Sequence, residues 1–142
     1  MFKKPWLYAS LASIALIGCA TTQGTDSARA ACSGNRCEVK IDVAPNCGFT
    51  ITPDPLIVLG QGNRKEIEWE IVSGNFRFRT EGIEIKLPDG EFDGQQLVDT
   101  DRKKFKWNNK HRKSGQYYYW IHVESASGGP LKCSIDPLIV NE

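Results

Sequence analysis

From Cys37 onward, apolar and polar residues alternate with a period of two. Val39, Ile41 and Val43 alternate with Lys40 and Asp42, the pattern of a strand with one face buried and one wet. Phe49–Thr52 follows the turn Pro45–Asn46, and Leu56–Leu59 is a short apolar run after Pro53-Asp54-Pro55. The clearest alternation is Glu66–Ile71, with three acids on one face and Ile67, Trp69 and Ile71 on the other. Phe76–Arg79, Ile83–Leu87 and Lys104–Trp107 repeat it, Gln116–Glu124 is the longest run, and Leu131–Val140 reads as the closing strand. Turn-forming Gly, Pro, Asn, Asp and Ser separate these runs, and no ten-residue segment carries helical periodicity. About eight short strands at this spacing predict an all-β chain: a single antiparallel β-sandwich with one wet face per sheet. Asp54-Pro55-Leu56-Ile57-Val58 recurs as Asp136-Pro137-Leu138-Ile139-Val140, which reads as a turn opened by Asp-Pro before an edge strand.

The first eighteen residues do not fit this pattern. Lys3 and Lys4 precede an apolar run, Trp6–Ile17, interrupted only by Ser10 and Ser13. It is too short to span a bilayer and has the flanks of a secretory signal. The run ends in Leu16-Ile17-Gly18-Cys19, which resembles the lipobox of bacterial lipoproteins. The resemblance implies cleavage by signal peptidase II between Gly18 and Cys19. It also implies a diacylglyceryl thioether on Cys19 and acylation of the new amino terminus. Each buried methylene contributes about 0.8 kcal/mol, and two or more chains suffice for stable anchoring. Ala20 in place of Asp implies, by the sorting rule of such proteins, the outer membrane, with the domain facing the periplasm. The organisation expected is a signal peptide (1–18), a lipidated Cys19 with a flexible tether (19–36) and a sandwich (37–142). The small, polar residues Ala20–Ala31 give a reach of about 20 Å.

Export changes the reading of the cysteines. With Cys19 lipidated, Cys32, Cys37, Cys47 and Cys133 remain, an even number that reads as a disulfide framework in an oxidising compartment. The turn Ser33-Gly34-Asn35-Arg36 favours Cys32–Cys37 with Cys47–Cys133; Cys37–Cys133 with Cys32–Cys47 is the rival. Cys-x4-Cys has no second half-site for zinc.

The sandwich resembles the immunoglobulin-like or cupredoxin-like type of small periplasmic protein. It departs from the immunoglobulin pattern at Leu131, where the corner Tyr would stand. A cupredoxin copper site needs two His, one Cys and usually a Met. The chain has His111 and His122, its one Met is Met1, and no His follows Cys133. No cofactor and no metal are expected. Ser114 and Ser125 lie near these His residues without a Gly-x-Ser-x-Gly elbow. Glu66, Glu68 and Glu70 stand about 7 Å apart along one strand face, within the 5 to 9 Å of a glycosidase pair; a solvated strand face is the ordinary reading. No catalytic residue is assigned.

Charge adds one local signal. The chain has 18 Lys and Arg against 17 Asp and Glu. Processing removes Lys3 and Lys4 and no acid, leaving 16 against 17, so nucleic acid is not an expected partner. Arg102, Lys103, Lys104, Lys106, Lys110, Arg112 and Lys113 crowd together after an acidic stretch, Glu91–Asp101. The ordinary reading is a solvated hairpin with lysines discouraging edge pairing. The functional reading is a patch for an anionic partner, an acidic envelope protein, lipid head groups or a cell-wall polymer, with Lys104, Lys106, Lys110 and Arg112 as binding candidates. In the run Tyr117–Val123, Tyr117, Tyr119, Ile121 and Val123 form one face and Tyr118, Trp120 and His122 the other. If the first is core, Tyr118 and Trp120 form a partly exposed aromatic row suited to an interface; the ordinary reading is a central strand covered by a loop or by neighbouring Lys and Arg stems. The function expected is non-catalytic binding or adaptor work by a lipid-anchored envelope protein. The alternatives are an inhibitor or immunity-type protein that blocks an envelope enzyme, and a small hydrolase or carbohydrate-active domain.

Overall fold

The computed structural model describes residues 31–142; the leader, Cys19 and the tether up to residue 30 lie outside the described residues. The described residues form eleven strands and no helix. In chain order these are β1 (Ala31–Cys32), β2 (Arg36–Val43), β3 (Phe49–Thr52), β4 (Leu56–Val58), β5 (Lys65–Ile71) and β6 (Phe76–Ile85), then β7 (Phe92–Leu97), β8 (Lys104–Asn109), β9 (Gly115–Ser125), β10 (Lys132–Ile135) and β11 (Leu138–Asn141). One sheet has the order β3-β2-β5-β8-β7. The other runs β1-β4-β11-β9, with β6 along one side of β9 and β10 sharing the other side with β11.

The two sheets form the expected sandwich, but each is mixed. The pairs β1–β4, β4–β11 and β2–β5 are parallel. The chain leaves the five-stranded sheet after β3 to form β4 and returns beside β2, and a strand that re-enters by a crossover runs parallel to its neighbour. Residues 31–36, read from sequence as the end of the tether, belong to the sandwich: Ala31 and Cys32 pair with Ile57 and Val58.

The apolar faces predicted by alternation point inward. Val39, Ile41, Ile67, Trp69 and Phe105 from one sheet meet Phe78, Ile83, Tyr119, Ile121 and Ile139 from the other, all buried. Trp69 and Tyr119 lie with ring centroids 5.4 Å apart, Phe78 and Phe105 at 5.8 Å, and Phe92 and Tyr117 edge-on at 4.9 Å, spacings that suit aromatic pairs. Both disulfides of the favoured pairing are present, and both join the two sheets. Cys32–Cys37 ties β1 to β2, and Cys47–Cys133 ties the β2–β3 turn to β10.

Three elements differ from the sequence pattern, each for a local reason. Phe76–Arg79 and Ile83–Leu87, read as separate strands, are one strand with an irregularity between Phe78 and Ile83. Gly82 sits there at φ +45°, and a Cβ on it would lie 2.3 Å from Phe105 Cδ2. Gly82→Ala is therefore expected to cost about 2–4 kcal/mol, from overpacking and left-handed strain together, measurable by urea denaturation. Strand β7 escaped the pattern because only its two ends, Phe92 and Leu97, pack against the core, while Asp93, Gln95 and Gln96 between them are polar and Gly94 sits at φ +68°. Leu131–Val140 divides at Asp136-Pro137 into β10 and β11, because Pro has no N–H to continue a ladder. The two Asp-Pro repeats open β4 and β11, which pair with each other in parallel, Leu56 opposite Ile139. Neither is an edge strand, contrary to the sequence reading: β4 lies between β1 and β11, and β11 between β4 and β9.

Candidate functional site

The basic run and the Glu66–Glu70 face are two halves of one ladder. Strand β8 pairs antiparallel with β5, placing Glu68 opposite Lys106 and Glu70 opposite Lys104. Direct and diagonal cross-strand contacts then match opposite signs. Lys106 Nζ lies 3.2 Å from Glu66 Oε2, and Lys104 Nζ 3.5 Å from Glu68 Oε1. Arg36 joins at Glu66, and Lys40 pairs with Glu70. Farther along, Lys110 pairs with Asp93 at 3.3 Å, Arg112 with Glu91 at 3.1 Å and Lys113 with Asp89 at 3.6 Å. Arg102 meets Glu124 at 3.1 Å, and Lys103 donates to the carbonyls of Ser73, Gly74 and Phe76. Every base of the run has an acidic or carbonyl partner, so Lys104, Lys106, Lys110 and Arg112 do not form an unpaired cationic patch. Exposed pairs of this kind contribute about 0–1 kcal/mol each. Lys104 and Lys106 lie on the outer face of the five-stranded sheet, whereas Tyr118 and Trp120 lie on that of the other sheet; the structure does not bring the two candidate sets together.

The aromatic row has the orientation expected. Tyr119, Ile121 and Val123 are fully buried, and Tyr118 is 50% exposed. Trp120 is half-buried beneath Lys86, whose Nζ stands 4.2 Å from the indole centroid and 3.0 Å from Asp136 Oδ2. A cation held over an aromatic face in this way fixes the ring. His122 stacks on Trp120 at 6.1 Å and has partners in Ser134 Oγ at 2.8 Å and Glu84 Oε2 at 3.3 Å. The row is thus one open ring, Tyr118, beside a clamped pair.

Beside Tyr118 lies an open groove of about 770 Å³, lined by Lys86, Leu87, Pro88, Asp89, Gln116 and Tyr118 among others. The alternation Ile83, Ile85, Leu87 predicts Leu87 inside. Instead its backbone turns left-handed, at φ 51°, and Leu87 is 87% exposed. Asp89 and Gly90 follow at φ 50° and 72°. A bulky non-glycine residue in that region is strained, and such strain persists where the surroundings over-determine it.

The surroundings here are polar and buried. Lys65, Glu91, Asn109, His111 and Asn141 are the buried polar or charged residues among the described residues. They sit at the end of the sandwich where segments 59–64, 86–91, 110–114 and the C-terminal residues converge. Asn109 Nδ2 donates to Asn141 Oδ1 at 2.7 Å, and Lys65 Nζ donates to the Ser33 carbonyl at 2.8 Å. Glu91 accepts from the Arg112 and Lys113 backbone N–H groups at 2.7 and 3.2 Å and from Arg112 Nε at 3.1 Å. Burial pushes the Glu91 pKa up, but these donors outweigh it and hold the carboxyl below its ordinary range. The same Arg112 guanidinium reaches the Gly90 carbonyl at 2.9 Å, and Glu91 N donates to Pro88 O at 2.7 Å. The loop that carries Leu87 is therefore pinned from below.

His111 is fully buried at φ 49°, and neither ring nitrogen has a hydrogen-bond partner in geometry, although both lie near the backbone of Gly60 and Glu142. Burial and, less strongly, Lys65 hold its pKa below the ordinary histidine value, against the opposing pull of the Glu142 backbone, the Glu91 carboxylate and the Gly60 backbone. The unfolded chain then takes the proton first, near pH 6.5. Stability is full above that pH and falls as pH drops from about 6.5 toward the folded pKa. Melting temperature is expected to fall between pH 7 and 5, and His111→Asn to flatten that slope whatever its absolute cost. Asn tolerates the left-handed backbone.

A second cleft, of about 490 Å³, opens between β6 and β7 beside Thr80, Glu81, Glu84 and Gln96. Its two carboxylates are already engaged, Glu81 with Arg79 and Glu84 with His122. Among the described residues, no three His, Cys, Asp or Glu side chains are grouped as metal ligands would be. No protein-family model matches the chain, and no curated protein matches it in sequence.

Proposed function

We propose that the chain is a lipid-anchored envelope lipoprotein, held through acyl chains on Cys19 in the outer membrane and facing the periplasm, that works by binding rather than by catalysis. Its contact surface is the face around Leu87 and Tyr118. The observation that carries this reading is Leu87 itself: a large apolar side chain 87% exposed, in strained backbone braced by buried polar contacts, beside a half-exposed Tyr. An apolar centre with Lys86, Asp89 and Gln116 at its rim has the anatomy of a protein interface, and a fixed loop spends little entropy on binding. Exposure of Leu87 at a loop tip also suits an inhibitor that inserts it into an enzyme's cleft.

Two measurements on the full chain in native envelope test this. Cys19→Ser, with residues 1–18 exchanged for a secretory leader that an ordinary signal peptidase removes, should move the protein from the detergent phase to the aqueous phase of a temperature-induced split. Leu87→Asp with Tyr118→Ala should leave the melting temperature within about 2 °C, since exposed substitutions change stability little, and return the protein on native gels from a larger complex to its own mass. Unchanged migration would remove the contact surface; unchanged partition would remove the anchor.

A further inference from the structure

The patch around Leu87 carries its own complement. Leu87, 87% exposed, projects at the groove, whose lining includes the half-buried Pro88 and Tyr118, 50% exposed. Knob and seat are adjacent on one surface, the arrangement a two-fold contact needs, since each copy must offer both halves. The rim charges have the same property. Lys86 is paired with Asp136 at 3.0 Å and Lys113 with Asp89 at 3.6 Å. The second of these is the most exposed ion pair among the described residues, with side chains 62% and 71% accessible. Two cations and two anions around one apolar centre can exchange partners across a two-fold axis without leaving a charge unpaired. Long-range repulsion is small, because the processed chain carries 16 basic and 17 acidic residues.

We infer that this patch binds a second copy of the same chain, resting on the reading of the Leu87–Tyr118 face as the contact surface: Leu87 of each copy seats in the groove beside Tyr118 of the other. Lys86 and Lys113 of one copy then face Asp136 and Asp89 of the other. Anchoring would favour the contact, since two tethered domains meet at a raised effective concentration. The clamped Trp120 lies under Lys86 and lends the rim rigidity rather than contact area.

The test uses the full chain, co-expressed in its host with two different epitope tags, with photo-reactive benzoylphenylalanine in place of Leu87. The control places the same group at Glu38, exposed on the outer face of the five-stranded sheet. Irradiation of membranes is expected to give, from position 87 only, an adduct that carries both tags. Tyr118→Ala should reduce its yield about tenfold or more, as truncation of a central interface aromatic does. Asp89→Lys should weaken it, and Asp89→Lys with Lys113→Asp should restore it. An adduct joining position 87 to a different protein would overturn self-association while leaving the contact surface standing. No adduct from position 87 would overturn both. A two-tag adduct that persists unchanged in Tyr118→Ala would overturn the seating of Leu87 beside that ring.

Discussion

Removing the Cys47–Cys133 bridge by replacing both residues with Ala is expected to lower stability by about 4–5 kcal/mol. The bridge spans 86 residues, and the chain-entropy model assigns a closure of that length an effect of this size. Its position adds a reason. It fastens the β2–β3 turn of one sheet to β10 of the other, at the end of the sandwich away from the buried polar cluster. Cys32–Cys37 closes a separation of only 5 residues, so its loss through Cys32→Ala with Cys37→Ala should cost less. Guanidinium denaturation of the oxidised protein and the two double variants measures the difference. Equal losses would mean that the bridges act by local packing and not by limiting the unfolded chain.

Trp69→Ala is expected to cost about 3–5 kcal/mol, the range for a large buried aromatic replaced by Ala. Trp69 is fully buried in β5, a central strand, and packs against Tyr119 from the opposite sheet at 5.4 Å. Flanking strands hold the backbone on both sides, through β2 and β8, so the void cannot collapse easily. Tyr119→Phe separates packing from polarity. Trp69 Nε1 lies near the Tyr119 hydroxyl, but neither atom meets hydrogen-bond geometry, so removing the hydroxyl forfeits at most a weak contact, and the expected cost is about 1 kcal/mol. A thermal melt that ranks Tyr119→Phe above Trp69→Ala in damage would contradict this view of the core.

The sandwich was legible because its central strands obey a period of two. Ile67, Trp69 and Ile71 announce their face, as do Tyr119, Ile121 and Val123. What the pattern missed is where one residue breaks the period. Gly82 bends β6 without ending it, and a polar edge strand such as β7 has too few apolar residues to alternate. Parallel pairing was hidden for a different reason: neighbours across a crossover are set by tertiary topology, which strand periodicity does not encode.

The candidate site was half legible. Tyr118 and Trp120 were identified from the two-faced aromatic strand, but which of them Lys86 covers depends on the end of β6, the strand laid beside β9: it covers Trp120 and leaves Tyr118 open. The basic run looked like a binding patch because sequence lists Lys104 and Lys106 far from Glu66 and Glu68; only the β5–β8 register brings the signs together. Leu87 was misread as core, since a left-handed residue at a strand end reverses the side that alternation predicts. Its signal in the sequence is faint: Pro88-Asp89-Gly90 marks a turn, not its hand. The polar cluster below it draws Lys65, Asn109 and Asn141 from three strand ends and Glu91 and His111 from two loops, a convergence with no local pattern.

The proposed anchorage at Cys19 would place the chain in an oxidising compartment, raise its local concentration and set it facing the periplasm. The direct measurement is the intact mass of the full-length gene product extracted from its host's envelope, with fragmentation of the amino-terminal peptide. The account predicts a chain that begins at Cys19 and carries a diacylglyceryl group and an amide-linked acyl chain. A chain that retains Met1–Gly18, or one that begins at an unmodified residue, would contradict it.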